Sequence, residues 1–209
     1  MFELCVITDR AISNGLSEAE VAELAYSGGA DIVQLRMKGS DGKEMLEQAK
    51  MIRNIAEKHA KFFIVNDRVD IALLSDADGV HLGQSDIPIE DARVLLGEDR
   101  LIGVSVHNVK EAVDAESRGA DYVSVGSVFQ TSTKPNAQHG RGLDAVFTVK
   151  ESVDIPVIAI GGINRGNIQD VIRAGADGVA VVSAVVSQKD IRAAAHELRD
   201  MILKVRPNI

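Results

Sequence analysis

Short apolar runs rich in Val and Ile alternate along this chain with longer stretches in which apolar residues return every three or four positions. The first pattern reads as buried strands and the second as amphipathic helices; their regular alternation predicts a parallel sheet joined by helical crossovers. Eight pairs fit. The predicted strands cover 3–8, 31–36, 62–66, 78–82, 101–105, 121–126, 156–160 and 178–182. The predicted helices cover 17–28, 40–60, 68–75, 88–97, 109–118, 142–153, 166–174 and 188–205. Ser17 with Glu20 makes a capping box for the first helix, and Pro88 suits the first turn of the fourth.

A weak repeat supports the count. Gly29-Ala30-Asp31, Gly119-Ala120-Asp121 and Gly175-Ala176-Asp177 each close a helix and open an even-numbered strand, and Asp76-Ala77-Asp78-Gly79 is a looser copy. These aspartates fall at strand starts, the end of a barrel that serves stability rather than chemistry. Eight units predict an α/β single-domain (β/α)8 TIM barrel spanning residues 1–209. An open doubly wound sheet would want a glycine-rich turn after the first strand, where Ile7-Thr8-Asp9-Arg10 stands instead.

Composition narrows the function. A chain of 209 residues, 45% of them apolar, can bury one sizeable core. A net charge of −8 and only 3% aromatic residues argue against nucleic acid as a partner. Cys5 is the only cysteine, so neither a disulfide nor a cysteine zinc site forms within one chain. No apolar stretch approaches the ~20 residues that span a bilayer, and Met1-Phe2-Glu3-Leu4 runs straight into a strand. A cytoplasmic protein without a membrane partner is expected, and a homo-oligomer is compatible with everything in the sequence.

The chemistry gathers where the strands end. Alternation puts Gln34, Arg36 and Lys38 on one side of the second strand, directed at the barrel interior or mouth. Two cations there need a compensating anion, either a phosphate or an internal salt bridge to Asp67 or Asp86. Asp67 and Asp86 follow adjacent strands, and two carboxylates without cysteine or clustered histidine make an oxygen-only site suited to magnesium. They could instead serve as a helix cap and an ion pair with Arg68. A general acid/base dyad is disfavoured, because Arg36 and Lys38 should keep both ionised. Thr131, Ser132, Thr133 and Lys134 form a hydroxyl-rich loop with a cation, and residues 135–142 read as a flap over the site. Gly161, Gly162 and Ser183 follow the seventh and eighth strands, where barrels commonly bind phosphate through backbone donors. Ser105 lacks a recognisable acid–histidine pair and is assigned a hydrogen-bonding role. His81 and His107 read as packed or orienting residues; His59, His139 and His196 read as surface residues.

In this arrangement the chain resembles the thiamin phosphate synthases, also called thiamine-phosphate pyrophosphorylases. The resemblance covers nearly the whole chain. It is carried by Val6-Ile7-Thr8-Asp9, Gln34-Leu35-Arg36-Met37-Lys38, Asn66-Asp67-Arg68-Val69-Asp70, the run from Asp78 to Asp86, Gly126-Ser127-Val128-Phe129 with Thr131-Ser132-Thr133-Lys134, and Ala159-Ile160-Gly161-Gly162-Ile163. It implies transfer of a hydroxymethylpyrimidine group from its diphosphate to a thiazole phosphate, giving thiamin phosphate and diphosphate with magnesium (Mg2+) as cofactor. By the same resemblance Arg36, Lys38, Asn66 and Lys134 would bind the diphosphate, and Asp67 and Asp86 would hold the metal. Gln34 and Ser105 would address the pyrimidine, while Thr131, Thr133, Gly162, Val182 and Ser183 would hold the thiazole phosphate. Leu35, Met37 and Ser132 complete the substrate-binding set, and Arg36, Lys38, Ser105 and Lys134 form the catalytic one. Ser127 and Gln130 stand where many such synthases carry proline. Two alternatives are a thiazole tautomerase-like paralogue and a non-catalytic thiamin-precursor binding barrel. The first would lose the metal aspartates and carry histidine where Ser127 stands; the second would lose a charge at Arg36, Lys38, Asp67, Asp86 or Lys134.

Overall fold

All eight strands pair in parallel and close on themselves in chain order, from β1 (Leu4–Ile7) through β2 (Ile32–Leu35), β3 (Phe62–Asn66), β4 (Gly79–Leu82), β5 (Leu101–Val106), β6 (Tyr122–Gly126) and β7 (Val157–Ile160) to β8 (Gly178–Val181). The last strand returns to the first, with Cys5 opposite Ala180. The computed structural model describes residues 2–131 and 140–206. The helices are α1 (Glu18–Ser27), α2 (Gly42–His59), α3 (Val69–Leu74), α4 (Ile89–Leu96), α5 (Val109–Ser117), α6 (Leu143–Lys150), α7 (Ile168–Arg173), α8 (Ser183–Val186) and α9 (Ile191–Leu203). This is the predicted (β/α)8 barrel. Among the described residues, no helix is long and apolar enough to cross a membrane.

Two elements escape the sequence pattern: a 3-10 turn at Arg10–Ile12 and the four-residue α8. Both are shorter than the span over which helical periodicity can register. The last helix starts at Ile191, later than predicted, because Asp190 caps it by accepting the Ala193 N–H. The predicted capping box of α1 is present, with Ser17 and Glu20 each accepting from the other's backbone.

Each strand shows one face to the helices and one to the barrel axis. Leu4 and Val6 join the large core between strands and helices, whereas Cys5 and Ile7 join an inner cluster with Ile32, Ile64, Tyr122, Ile158 and Ala180. Burying each Val, Leu or Ile of the outer core contributes about 1.5–3 kcal/mol. On the inward face further along the strands, Gln34, His81 and Ser124 are buried polar residues, which prepares the chemistry at the mouth. Gly103 makes room for this change. A Cβ there would lie 2.0 Å from the Tyr122 ring, so the tyrosine crosses β5 only because that position has no side chain.

The repeated aspartates lock the opposite end. Asp31 accepts the Leu4 N–H at 3.2 Å, Asp78 that of Phe63 at 2.7 Å, Asp121 that of Ile102 at 2.7 Å and Asp177 that of Val157 at 2.8 Å. Each even strand thereby ties its start to the preceding odd strand. Each also meets a cation: Lys61 and Arg199 at Asp31, Arg53 at Asp78, Arg93 at Asp121 and Lys150 at Asp177.

Candidate active site

A cavity of about 620 Å³ opens at the strand ends and descends into the barrel. Gln34, Arg36, Asn66, Ser105, Thr131, Gly162, Val182 and Ser183 line it, all of them predicted from the sequence. Leu35 and Met37 do not turn toward it. Their side chains are buried in the outer core, which leaves only their backbone groups to reach the mouth. Ser132, Thr133, Lys134 and His139 lie outside the described residues, as does most of the predicted flap.

Arg36 is placed by β1. The Thr8 hydroxyl accepts the Arg36 N–H at 3.0 Å, and Asp9 pairs with the guanidinium at 3.1 Å while also capping the 3-10 turn through the Ala11 N–H. The expected internal salt bridge to Asp67 or Asp86 therefore forms for Lys38 alone, whose ammonium contacts Asp67. Arg36 has found a partner that the sequence reading did not assign.

Asp67 sits at the end of β3 with φ 64, a left-handed conformation that costs a non-glycine residue about 1 kcal/mol. Its N–H donates to the His81 carbonyl at 2.9 Å, which fixes it beside β4. Asp86 closes the turn after β4 by accepting the Gly83 N–H at 2.6 Å. Burial is the largest influence on the Asp86 carboxyl and pushes its pKa up; the Gly83 N–H pulls it back, and the facing Asp67 carboxylate adds to the rise. Arg36 turns to Asp9 instead, and Lys38 only partly offsets the rise at Asp86. The structural alternatives for these aspartates fail as well. Arg68 pairs with Asp70, and α4, with Pro88 at its N-cap, has no side-chain cap.

Two facing carboxylates under mutual repulsion are a fitting place for a divalent cation. Among the described residues no group of three or more His, Cys, Asp or Glu side chains is placed to hold a metal. A pair of oxygen ligands completed by water and substrate phosphate suits magnesium, which binds proteins through few carboxylates, and does not suit zinc.

Across the mouth the strand ends of β7 and β8 carry neutral groups, with Arg141 beside them in the cavity lining, its Nε donating to the Gly126 carbonyl at 3.3 Å. Gly161 and Gly162 have φ 102 and 66, and a Cβ on Gly162 would strike the Gln130 carbonyl at 2.7 Å, so glycine is required for this close packing. Asn164 and Asn167 both donate to the Gly162 carbonyl, at 3.1 and 3.0 Å, and hold that peptide in place. Val182 precedes α8, whose first N–H groups, like those of any helix, lack intrahelical acceptors. Sequence reasoning missed the two asparagines and Gln188, which lines the cavity and donates to the Ser183 carbonyl. Only their position after strand ends could have marked them.

Deeper in the cavity, Ser105 meets Nε2 of His81 at 2.9 Å, and Nδ1 of His81 meets the Tyr122 hydroxyl at 3.1 Å. The orienting role expected of His81 has this physical form. Tyr122 was missed, although alternation along β6 points it inward with Ser124. His107 also lines the cavity, its ring paired with Glu111 at 2.8 Å.

Comparison with known proteins agrees with this geometry. Residues 4–185 match the family model described as thiamine monophosphate synthase. The thiamine-phosphate synthase of Chloroflexus aurantiacus is 49% identical over 201 residues, 96% of this chain and 93% of that protein. That of Methanocella arvoryzae is 48% identical over 205 residues, covering 98% and 97%. The solved thiamine phosphate pyrophosphorylase from Pyrococcus furiosus superposes with a TM-score of 0.90 at 43% identity, covering 98% of this chain and 96% of that one. Neither the tautomerase-like nor the binding-only alternative is favoured. The chain belongs to the thiamine monophosphate synthase family, and its activity is that of a transferase in thiamine biosynthesis.

Proposed function

We propose that the cavity joins hydroxymethylpyrimidine diphosphate to thiazole phosphate, releasing diphosphate, and that Asp67 and Asp86 hold magnesium while it does so. The observation that carries this reading is the division of the mouth. Lys38, Arg36, Asn66, Asp67 and Asp86 stand at the ends of β2 to β4, and Gly161, Gly162, Val182 and Ser183 stand at the ends of β7 and β8. Gln34 and Ser105 line the cavity between them.

The charged side suits the diphosphate. Arg36 offers a guanidinium fork braced by Asp9, and Lys38, paired with Asp67, offers a point charge. Magnesium, when bound, would neutralise charge growing on the departing diphosphate. The side formed by β7 and β8 suits a monophosphate, which backbone N–H groups and hydroxyls can bind, with Arg141 in the same lining. Thr131 belongs to this side, with Ser132 and Thr133 assigned to it from the sequence, and Lys134 assigned to the diphosphate.

In the transfer, the bond between the pyrimidine methylene carbon and the diphosphate oxygen breaks with its electron pair leaving on oxygen. The thiazole nitrogen then donates its lone pair to that carbon. The protein contributes orientation and charge stabilisation rather than a nucleophile. Cys5, the only thiol, is buried at the cavity floor, and burial pushes its pKa up to about 12, so it stays protonated. We take the working compartment to be the cytoplasm, where such a free thiol remains reduced.

The test is to supply both substrates with magnesium and to follow thiamin phosphate and diphosphate. Product should appear, should vanish on chelation and should return with added magnesium. No product at high protein concentration sinks the transfer; activity that survives exhaustive chelation sinks the metal.

A further inference from the structure

We propose that Tyr122 and His81 are positioning residues that fix the proton of the Ser105 hydroxyl, so that Ser105 faces the pyrimidine as a hydrogen-bond donor to a ring nitrogen. The inference rests on the synthase reading of the cavity, and it follows from counting protons in a chain of three residues on β6, β4 and β5, of which Tyr122 and His81 are buried and Ser105 is half-buried.

His81 lies between the other two, with its ring centroid 5.6 Å from that of Tyr122. Register alone would not bring them together. His81 is opposite Gly103, and Gly103 is opposite Tyr122, so the tyrosine reaches the histidine across a position that lacks a side chain.

A neutral imidazole has one N–H and one acceptor nitrogen, and each hydroxyl has one proton to give. Tyr122 is buried, and burial holds its pKa well above the ordinary tyrosine value, so it keeps its proton. Among the described residues, Nδ1 of His81 is the one hydrogen-bond partner that the Tyr122 hydroxyl meets. Were Nδ1 protonated, in either the neutral ring or an imidazolium, the tyrosine proton would be buried without an acceptor, which folded proteins rarely tolerate. Tyr122 therefore donates to Nδ1. The single ring proton of His81 then resides on Nε2 and is given to Ser105 Oγ at 2.9 Å.

Ser105 consequently accepts from His81 and keeps its own proton for the cavity that it lines. Gln84 donates to the Ser105 carbonyl at 2.8 Å and anchors the backbone, leaving the hydroxyl rotor as the adjustable part. The ring nitrogens of an aminopyrimidine only accept hydrogen bonds, so a hydroxyl held as a donor selects them over a carbon isostere. With the opposite tautomer Ser105 would offer lone pairs, and its natural partner would be the exocyclic amine.

The direct measurement is of the protonated ring nitrogen, by NMR of protein labelled with 15N-histidine. A His81→Gln sample identifies the signal among five histidines. The expected result is a proton on Nε2 alone at neutral pH; a proton on Nδ1, or on both, overturns the proposal. Tyr122→Phe, which keeps the ring and removes the donor, should move part of the proton population to Nδ1. It should also lower kcat/KM for the pyrimidine diphosphate about tenfold with the KM for thiazole phosphate unchanged. Equal losses for the two substrates would reduce Tyr122 to a packing residue and overturn its role. His81→Gln, whose amide can still donate to Ser105, should retain about ten times the activity of His81→Leu; equal activities overturn the role of His81. If the wild-type protein forms no thiamin phosphate, the synthase reading fails, while the NMR result still decides the proton arrangement.

Discussion

The two ends of this barrel use the same side chain to opposite purposes. At the strand starts, Asp31, Asp78, Asp121 and Asp177 each accept a backbone N–H and pair with at least one cation. At the strand ends, Asp67 is in a left-handed conformation, and Asp86 faces it with a raised pKa. Satisfied carboxylates hold strands together. Asp67 and Asp86 have partners too, Lys38 and the Gly83 N–H, yet they also face each other, and under the proposed reading that leaves room for a cation.

The sharpest way to break this comparison is Asp86→Asn. It should lower kcat about a thousandfold, the scale of losing a charge-stabilising group, while leaving thiazole phosphate affinity nearly unchanged and the unfolding midpoint no lower than that of the wild type. Steady-state kinetics with urea denaturation checks it. A protein that loses stability in step with activity would place Asp86 with the structural set. The converse substitution, Asp31→Ala, removes the acceptor of two N–H groups and the carboxylate that Lys61 and Arg199 share, leaving Arg199 with Glu3 and the Gly29 carbonyl. It should cost about 3 kcal/mol of stability, and the fraction still folded should turn over normally. Calorimetry paired with activity per folded molecule measures this.

A smaller effect separates the cations of the mouth. Asp9→Asn keeps an acceptor for the Ala11 N–H yet withdraws the charge that braces Arg36. The KM for pyrimidine diphosphate should rise about tenfold, with the KM for thiazole phosphate unchanged. A rise in both would mean that Asp9 serves the 3-10 turn rather than the arginine.

Most of this architecture is legible in the chain because the relevant interactions repeat with a short period. Val-rich runs mark the strands, and the Gly-Ala-Asp copies mark where even strands open. Gln34, Ser105, Gly162 and Ser183 are legible as strand-end residues. The partners of those residues are not, because partnership depends on closure. Asp9 meets Arg36 only once β1 and β2 lie side by side, and Tyr122 meets His81 only because Gly103 leaves a gap on the intervening strand. Alternation likewise separates Leu35 and Met37 from Gln34 and Arg36, but only the packed helices show where their side chains go.

The finest distinction between the two ends is the sign of a pH effect. Burial alone would raise the Asp31 pKa, but Lys61, Arg199 and the Leu4 N–H overcome it and lower the value. A lowered folded pKa means that the unfolded chain binds the proton more tightly. Asp31 therefore stabilises the fold fully above the ordinary aspartate value of about 3.9, and that contribution fades as pH falls through the folded value. For Asp86 the signs reverse. Its folded pKa is raised, so between about 3.9 and the folded value the native state holds the proton more tightly, and ionising the group as pH rises weakens the fold. Urea midpoints with chelator present, from about pH 3 to pH 7, should show the wild type gaining on Asp31→Asn as pH rises and losing to Asp86→Asn over the upper part of the range. Added magnesium should erase the second trend and leave the first, because a cation between Asp67 and Asp86 supplies the counter-charge that Asp31 already has from lysine and arginine.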